Sequence, residues 1–144
     1  MIALDLHPQM LLRLVVAVVL GALVGYERER KGKPAGVRTH GMVCLGAALF
    51  TVVSIYGFGA ASDPTRVAAM VVSGIGFLGA GAILHQRESV HGLTTAASLW
   101  VTAAIGLAVG VGMFAMSLAT TILVFLLLHF GPRPSRKTPH EELE

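Results

Sequence analysis

Five long apolar runs, near residues 9–26, 40–58, 66–85, 94–112 and 114–131, take up most of this chain and are separated by short polar clusters. A helix that crosses a bilayer needs roughly 17–25 predominantly apolar residues, and every run falls in that window. Backbone polar groups find no water in hydrocarbon, so only helices and closed barrels can span it. Barrel strands read as segments of about 10 alternating residues, and these runs do not alternate. The pattern predicts an all-α membrane protein: a compact bundle of five transmembrane helices over residues 1–131, followed by a short tail over 132–144. Composition agrees. Of 144 residues, 54% are hydrophobic and 13% charged, and the mean hydropathy is +0.73. Soluble domains carry roughly 25% charged residues, so this chain has too few polar groups to cover a soluble surface.

The first run reads as a retained helix. Its basic cluster follows the apolar stretch instead of preceding it, and no small-residue cleavage pattern closes it. Basic residues then orient the bundle. Arg28, Arg30, Lys31, Lys33 and Arg38 follow the first run, Arg87 the third, and Arg133, Arg136 and Lys137 the fifth. Only Arg66 and Arg13 fall toward the other side. Basic loops stay cytoplasmic, which predicts an N-terminus outside and a cytoplasmic C-terminus in a multi-pass protein of the bacterial inner membrane.

Several chemistries are disfavoured. Cys44 is the single cysteine, so no intrachain disulfide forms, and inside an apolar run it reads as a small hydrophobe. The pI near 9.5 reflects topology and attraction to anionic headgroups, and no nucleic-acid motif accompanies it. Ionisable residues at mid-membrane would mark function, but Asp5, Glu27, Glu29, Asp63 and Glu88 all fall at or beyond helix ends. His40, His85 and His91 lack regular metal-ligand spacing. The reading is therefore no catalytic site, no metal, no cofactor and no nucleic-acid partner. Membrane lipid is the expected surrounding.

Small residues guide the packing. In the third run Ser73, Gly76, Gly79 and Ala80 share one helical face, while Gly74 and Gly81 lie on another. Small residues let helices approach closely in lipid. The expectation is a third helix at the bundle centre, a bulky fifth helix facing lipid, and a homo-oligomer, most simply a dimer.

One polar constellation stands out at the expected cytoplasmic rim. Glu27, Arg28 and Glu29 close the first helix, Arg38, Thr39 and His40 open the second, and His91, Thr94 and Thr95 open the fourth. Two helix starts present free N–H groups and positive dipole ends there. Thr39 and Thr94 are the expected caps, and Glu27 is expected to lie against Arg28 and Arg38. An internal lock of salt bridges and an external anion both fit this pattern.

Gly25-Tyr26-Glu27-Arg28-Glu29 followed by Lys33-Pro34-Ala35-Gly36-Val37-Arg38-Thr39-His40 resembles the signature of the MgtC/SapB family of bacterial membrane proteins. The same resemblance continues through Asp63-Pro64-Thr65-Arg66, Ser73-Gly74-Ile75-Gly76-Phe77-Leu78-Gly79-Ala80-Gly81, and Gly92-Leu93-Thr94-Thr95-Ala96-Ala97-Ser98-Leu99-Trp100. Met70 stands where the pattern usually has Gln, and His91 where it usually has Arg or Lys. Longer members also carry a cytoplasmic C-terminal domain. The resemblance implies a non-enzymatic modulator of other membrane proteins, such as the F-type ATP synthase, in adaptation to low magnesium, acid or intracellular life. Its alternative is a transporter of magnesium or another ion, with a pathway formed in an oligomer.

Overall fold

The computed structural model describes residues 7–58, 63–86 and 89–131, and in them the chain forms five helices and one small hairpin. Helix α1 runs Pro8–Arg30. Proline at its start suits a position whose N–H has no helical partner, and Arg28 and Arg30 place positive charge at its negative dipole end. Gly32 at φ 61° turns the chain toward α2, Val37–Tyr56. Helix α3, Thr65–Gly81, starts where the Asp63 carboxylate accepts from the Thr65 N–H at 2.9 Å and from its hydroxyl at 2.7 Å. Those two bonds, with the charge of Arg66, hold the Asp63 carboxyl below its ordinary range.

The third apolar run was expected to stay helical to residue 85. It stops at Gly81, and the backbone enters an antiparallel hairpin, β1 (Leu84–Gln86) on β2 (Ser89–His91), which pairs Leu84 with His91 and His85 with Val90. Gly79 and Gly81 weaken the last turn of the helix. Gly92, at φ 91°, then starts α4, Leu93–Val111, and a Cβ there would collide with the Ala82 carbonyl oxygen. Gly112, at φ 99°, closes α4 and leads directly into α5, Phe114–Phe130.

Helices α1, α2 and α4 form the centre. Ala17, Leu20 and Val24 of α1 meet Cys44 and Ala48 of α2 and Ile105 and Val109 of α4 in one buried cluster. Glycines permit this approach. A Cβ on Gly21 would lie 2.6 Å from Cys44 Cβ and from the His40 carbonyl oxygen. One on Gly110 would lie 2.6 Å from Thr51 Cβ, and one on Gly106 would strike the Cys44 carbonyl.

The central place expected for α3 thus belongs to α4. Only Ile75 and Gly79 of α3 are buried, while Phe77 is 82% exposed. Gly74, Gly76 and Gly81 have nothing within 4 Å of an added Cβ, and Gly79 meets Ala96 at an ordinary 3.6 Å. Ser73 is likewise exposed. The small residues that seat helices are those of α1 and α4, because close approach needs a neighbour as well as a missing side chain. Helix α5 lies outside α1 and α4 and buries only Ser117 and Thr121.

Helices α1, α2 and α4, of 23, 20 and 19 residues, are long and apolar enough to cross a membrane. Helices α3 and α5 are apolar but have 17 residues each, about 26 Å at 1.5 Å per residue. That falls short of the roughly 30 Å hydrocarbon core, so the bundle combines three full-length helices with two shorter ones.

Within the bundle, several buried hydroxyls turn back on their own helices, while Ser54 donates to the Pro64 carbonyl at 3.3 Å. Thr51 donates to the Ala47 carbonyl at 2.8 Å, Thr102 to Ser98 at 2.7 Å, Ser117 to Met113 at 2.8 Å and Thr121 to Ser117 at 2.8 Å. At the end where α4 finishes, Arg13 donates to the Gly110 carbonyl at 2.8 Å and stacks over the Tyr56 ring at 5.6 Å. A cation beside terminal carbonyls is well placed against the helix dipole, so Arg13 ties α1 to the ends of α2 and α4.

Candidate functional site

At the opposite end, where α1 finishes and α2 and α4 begin, four polar side chains meet inside the bundle. Arg28, 6% exposed, donates from Nη2 to Thr95 Oγ1. His40 is fully buried, with Nδ1 3.0 Å from the Gly36 carbonyl oxygen and Nε2 3.0 Å from Ser98 Oγ. A carbonyl only accepts, so Nδ1 carries a proton. In a neutral ring Nε2 is then the acceptor, and the Ser98 hydroxyl divides its proton between Nε2 and the Thr95 carbonyl, 2.8 Å away. Arg28, Thr95, Ser98 and His40 thereby join three helices in one network.

The network leaves Arg28 short of partners. Its Nε is buried with no hydrogen bond among the described residues, and no carboxylate there forms an ion pair with it. A buried guanidinium beside a helix start is electrostatically costly unless negative charge or further acceptors complete its shell.

Glu29 performs the capping expected of Thr39. Its Oε2 accepts from the Val37 N–H, the first of α2, at 3.0 Å. A Cβ on Gly36 would lie 2.4 Å from that carboxylate oxygen, so a side chain here would push Glu29 off its cap. Gly25 is constrained as well, because a Cβ there would lie 2.5 Å from the Gly36 carbonyl oxygen. The Gly25, Glu29 and Gly36 positions of the sequence signature therefore form one joint between α1 and α2. Thr39 and Thr94 cap nothing. The helices start earlier than expected, at Val37 and Leu93, so both threonines lie within the first turn, and Thr94 is exposed.

Glu27 faces away from this network. It is buried and held by Arg30 Nη2 at 3.1 Å, Lys31 Nζ at 3.2 Å and His129 Nδ1 at 3.1 Å. Lys31 also donates to the carbonyls of Leu128 and, at 2.8 Å, His129, at the end of α5. Glu27 was expected against Arg28 and Arg38. Neither is its partner, because Arg28 is one residue on and points about 100° around the helix. Arg38 is exposed and makes no hydrogen bond or ion pair among the described residues. His91 lies exposed at the end of the hairpin.

The rim is therefore two clusters. Arg28, His40 and Thr95, from the expected set, meet Ser98, while Glu27 meets Arg30, Lys31 and His129. Lys31 and Arg30 could have been found from spacing, since they follow Glu27 by four and three residues on one helical face. His129 and Ser98 carry no such local signal, being 102 residues from Glu27 and 58 from His40. Among the described residues no group of three or more His, Cys, Asp and Glu side chains could hold a metal ion.

The profile of the MgtC family matches residues 14–136, which contain both clusters and all but the first turns of α1. The chain belongs to this family. Membership, together with three helices long and apolar enough to cross a bilayer, makes it a multi-pass protein of the bacterial inner membrane. Protein MgtC of Salmonella typhimurium is 46% identical over 114 residues, covering 79% of this chain and 48% of that one. YhiD of Escherichia coli (strain K12), named as a magnesium transporter, is 43% identical over 127 residues, covering 83% of this chain and 59% of its own. An uncharacterized protein of Haemophilus influenzae is 39% identical over 133 residues, with 86% and 56% covered. The chain thus spans less than two thirds of the length of these curated relatives. No solved structure matches it significantly.

Proposed function

We propose that this MgtC-family chain is a non-enzymatic modulator of other membrane proteins in adaptation to low magnesium, acid or intracellular stress. The partner class favoured by the family resemblance is the F-type ATP synthase. One observation carries the preference for modulation over transport. The buried hydroxyls of Thr51, Thr102, Ser117 and Thr121 each donate to a carbonyl of their own helix. A magnesium pathway calls for a succession of hard oxygen ligands, usually with carboxylates and retained waters. The apolar clusters at the centre of the bundle hold no carboxylate, and the buried Glu27 and Arg28 lie at one end of it.

The working form in this proposal is a homo-oligomer, with a dimer favoured, oriented with its N-terminus outside and the Arg28 and Glu27 clusters at the cytoplasmic face. The nine basic residues on that side support the orientation. The exposed α3 glycines support the oligomer, because small residues on an open face admit another helix.

The second reading is transport of magnesium or another ion through an oligomer, favoured by the naming of the Escherichia coli relative as a magnesium transporter. Flux measured in proteoliposomes separates the two. The modulator reading expects no saturable magnesium uptake above empty vesicles. Saturable uptake by the purified chain would overturn it.

A further inference from the structure

Helices α2 and α3 touch only lightly and diverge around an apolar cleft of about 740 Å³ that opens on the flank of the bundle. Met42, Gly46 and Phe50 line it from α2, and Met70, Gly74 and Leu78 from α3, each set stepping four residues along one helical face. Gly46 and Gly74 have nothing within 4 Å of an added Cβ, so both walls are hollow near mid-depth. Helix α4 supplies the floor through Ala103. The cleft is thus a trough whose open side faces hydrocarbon in a membrane.

Its one charged lining residue is Arg66, at the end where α3 begins. Arg66 is exposed, and its side chain makes no hydrogen bond or ion pair among the described residues. The neighbouring Asp63 carboxylate is occupied by the N–H and hydroxyl of Thr65. Arg13, the other cation toward this end, is already bonded to Gly110. Arg66 therefore presents a guanidinium whose hydrogen-bond donors are open at the mouth of the trough, although its charge also acts on Asp63.

We propose that this cleft is a binding site for one anionic phospholipid, its phosphate at Arg66 and one acyl chain lying between α2 and α3. Dimensions fit. From Arg66 to Leu78 the α3 wall rises about 18 Å, and one leaflet is half of a hydrocarbon core of roughly 30 Å. Arginine is suited to the headgroup because its planar fork meets phosphate oxygens in pairs. The charge selects the headgroup, and the hollow apolar walls hold the chain. A second protein helix would use the same hollow walls but has no requirement for a cation at the mouth.

The test uses the full chain purified in a neutral detergent, with phosphatidylglycerol and phosphatidylcholine of identical acyl chains titrated in and bound lipid read by native mass spectrometry. The expected result is one tightly held phosphatidylglycerol, preferred over phosphatidylcholine by roughly fivefold, the factor for one surface cation. Arg66→Gln should abolish the preference, whereas Lys33→Gln, exposed at the far end of the bundle, should preserve it. Gly74→Leu, which fills the trough, should weaken both lipids. Equal affinity for the two lipids, or an undiminished preference in Arg66→Gln, overturns the proposal. Protein pairs that exclude lipid, and that Gly74→Leu breaks, would assign the cleft to a second copy and overturn it too.

Discussion

Arg28 and Thr95, 67 residues apart, are joined by a guanidinium-to-hydroxyl hydrogen bond buried where α1 ends and α4 begins. The bond fixes the relative height of two of the three central helices. It also explains why only the second of two adjacent threonines matters. Thr94 points out, and Thr95 points in.

Thr95→Val should therefore cost about 1–3 kcal/mol, the usual consequence of leaving a buried donor unsatisfied. Thr94→Val should stay within about 0.5 kcal/mol, as surface changes do. Unfolding in detergent micelles measures both. Equal effects would show that the Arg28 bond contributes nothing.

Glu27→Gln should lower the unfolding temperature more than Arg38→Ala. The first removes the charge that gathers Arg30, Lys31 and His129 at the junction of α1 and α5. The second removes an exposed side chain with no described partner, and should change stability by no more than about 0.5 kcal/mol. Thermal scans of the two variants side by side give the order, and a larger loss in Arg38→Ala would contradict the division of the rim into two clusters.

Glycine substitutions should separate the central seams from the open face. Gly106→Ala pushes a methyl into the Cys44 carbonyl and to 2.8 Å from Ala47 Cβ, which should cost about 1–3 kcal/mol through overpacking. Gly76→Ala meets open space, and should be neutral or slightly stabilising, since alanine is the better helix former. Stability curves for both variants, with size-exclusion profiles to detect any change of assembly, test this.

Orientation is open to a direct measurement. Accessibility tags after Gly32 and at the C-terminus should report the cytoplasm, and a tag at the N-terminus should report the outside. An N-terminus in the cytoplasm would overturn the proposed orientation and move Arg66 to the other leaflet.

Hydrophobic run length was enough to predict an all-helical membrane bundle, because hydrocarbon admits few backbone solutions. The ordered motifs from Gly25 to Trp100 were enough to point to the family. The signature residues Gly25, Glu29 and Gly36 were also visible, but their joint purpose was not: the glycines make room and the carboxylate caps α2, which requires knowing that the ends of two helices touch. The glycine-rich third run shows the same limit from the other side. A stripe of small residues permits close packing without naming a neighbour, and here α4 has the neighbours while α3 stands at the edge. Partner choice at the rim was hidden for a related reason. Rotation by about 100° per residue sends Glu27 toward α5 and Arg28 toward α4, so adjacent residues enter different clusters. Sequence spacing fixes which residues share a helical face, and only the tertiary arrangement decides which helix that face meets.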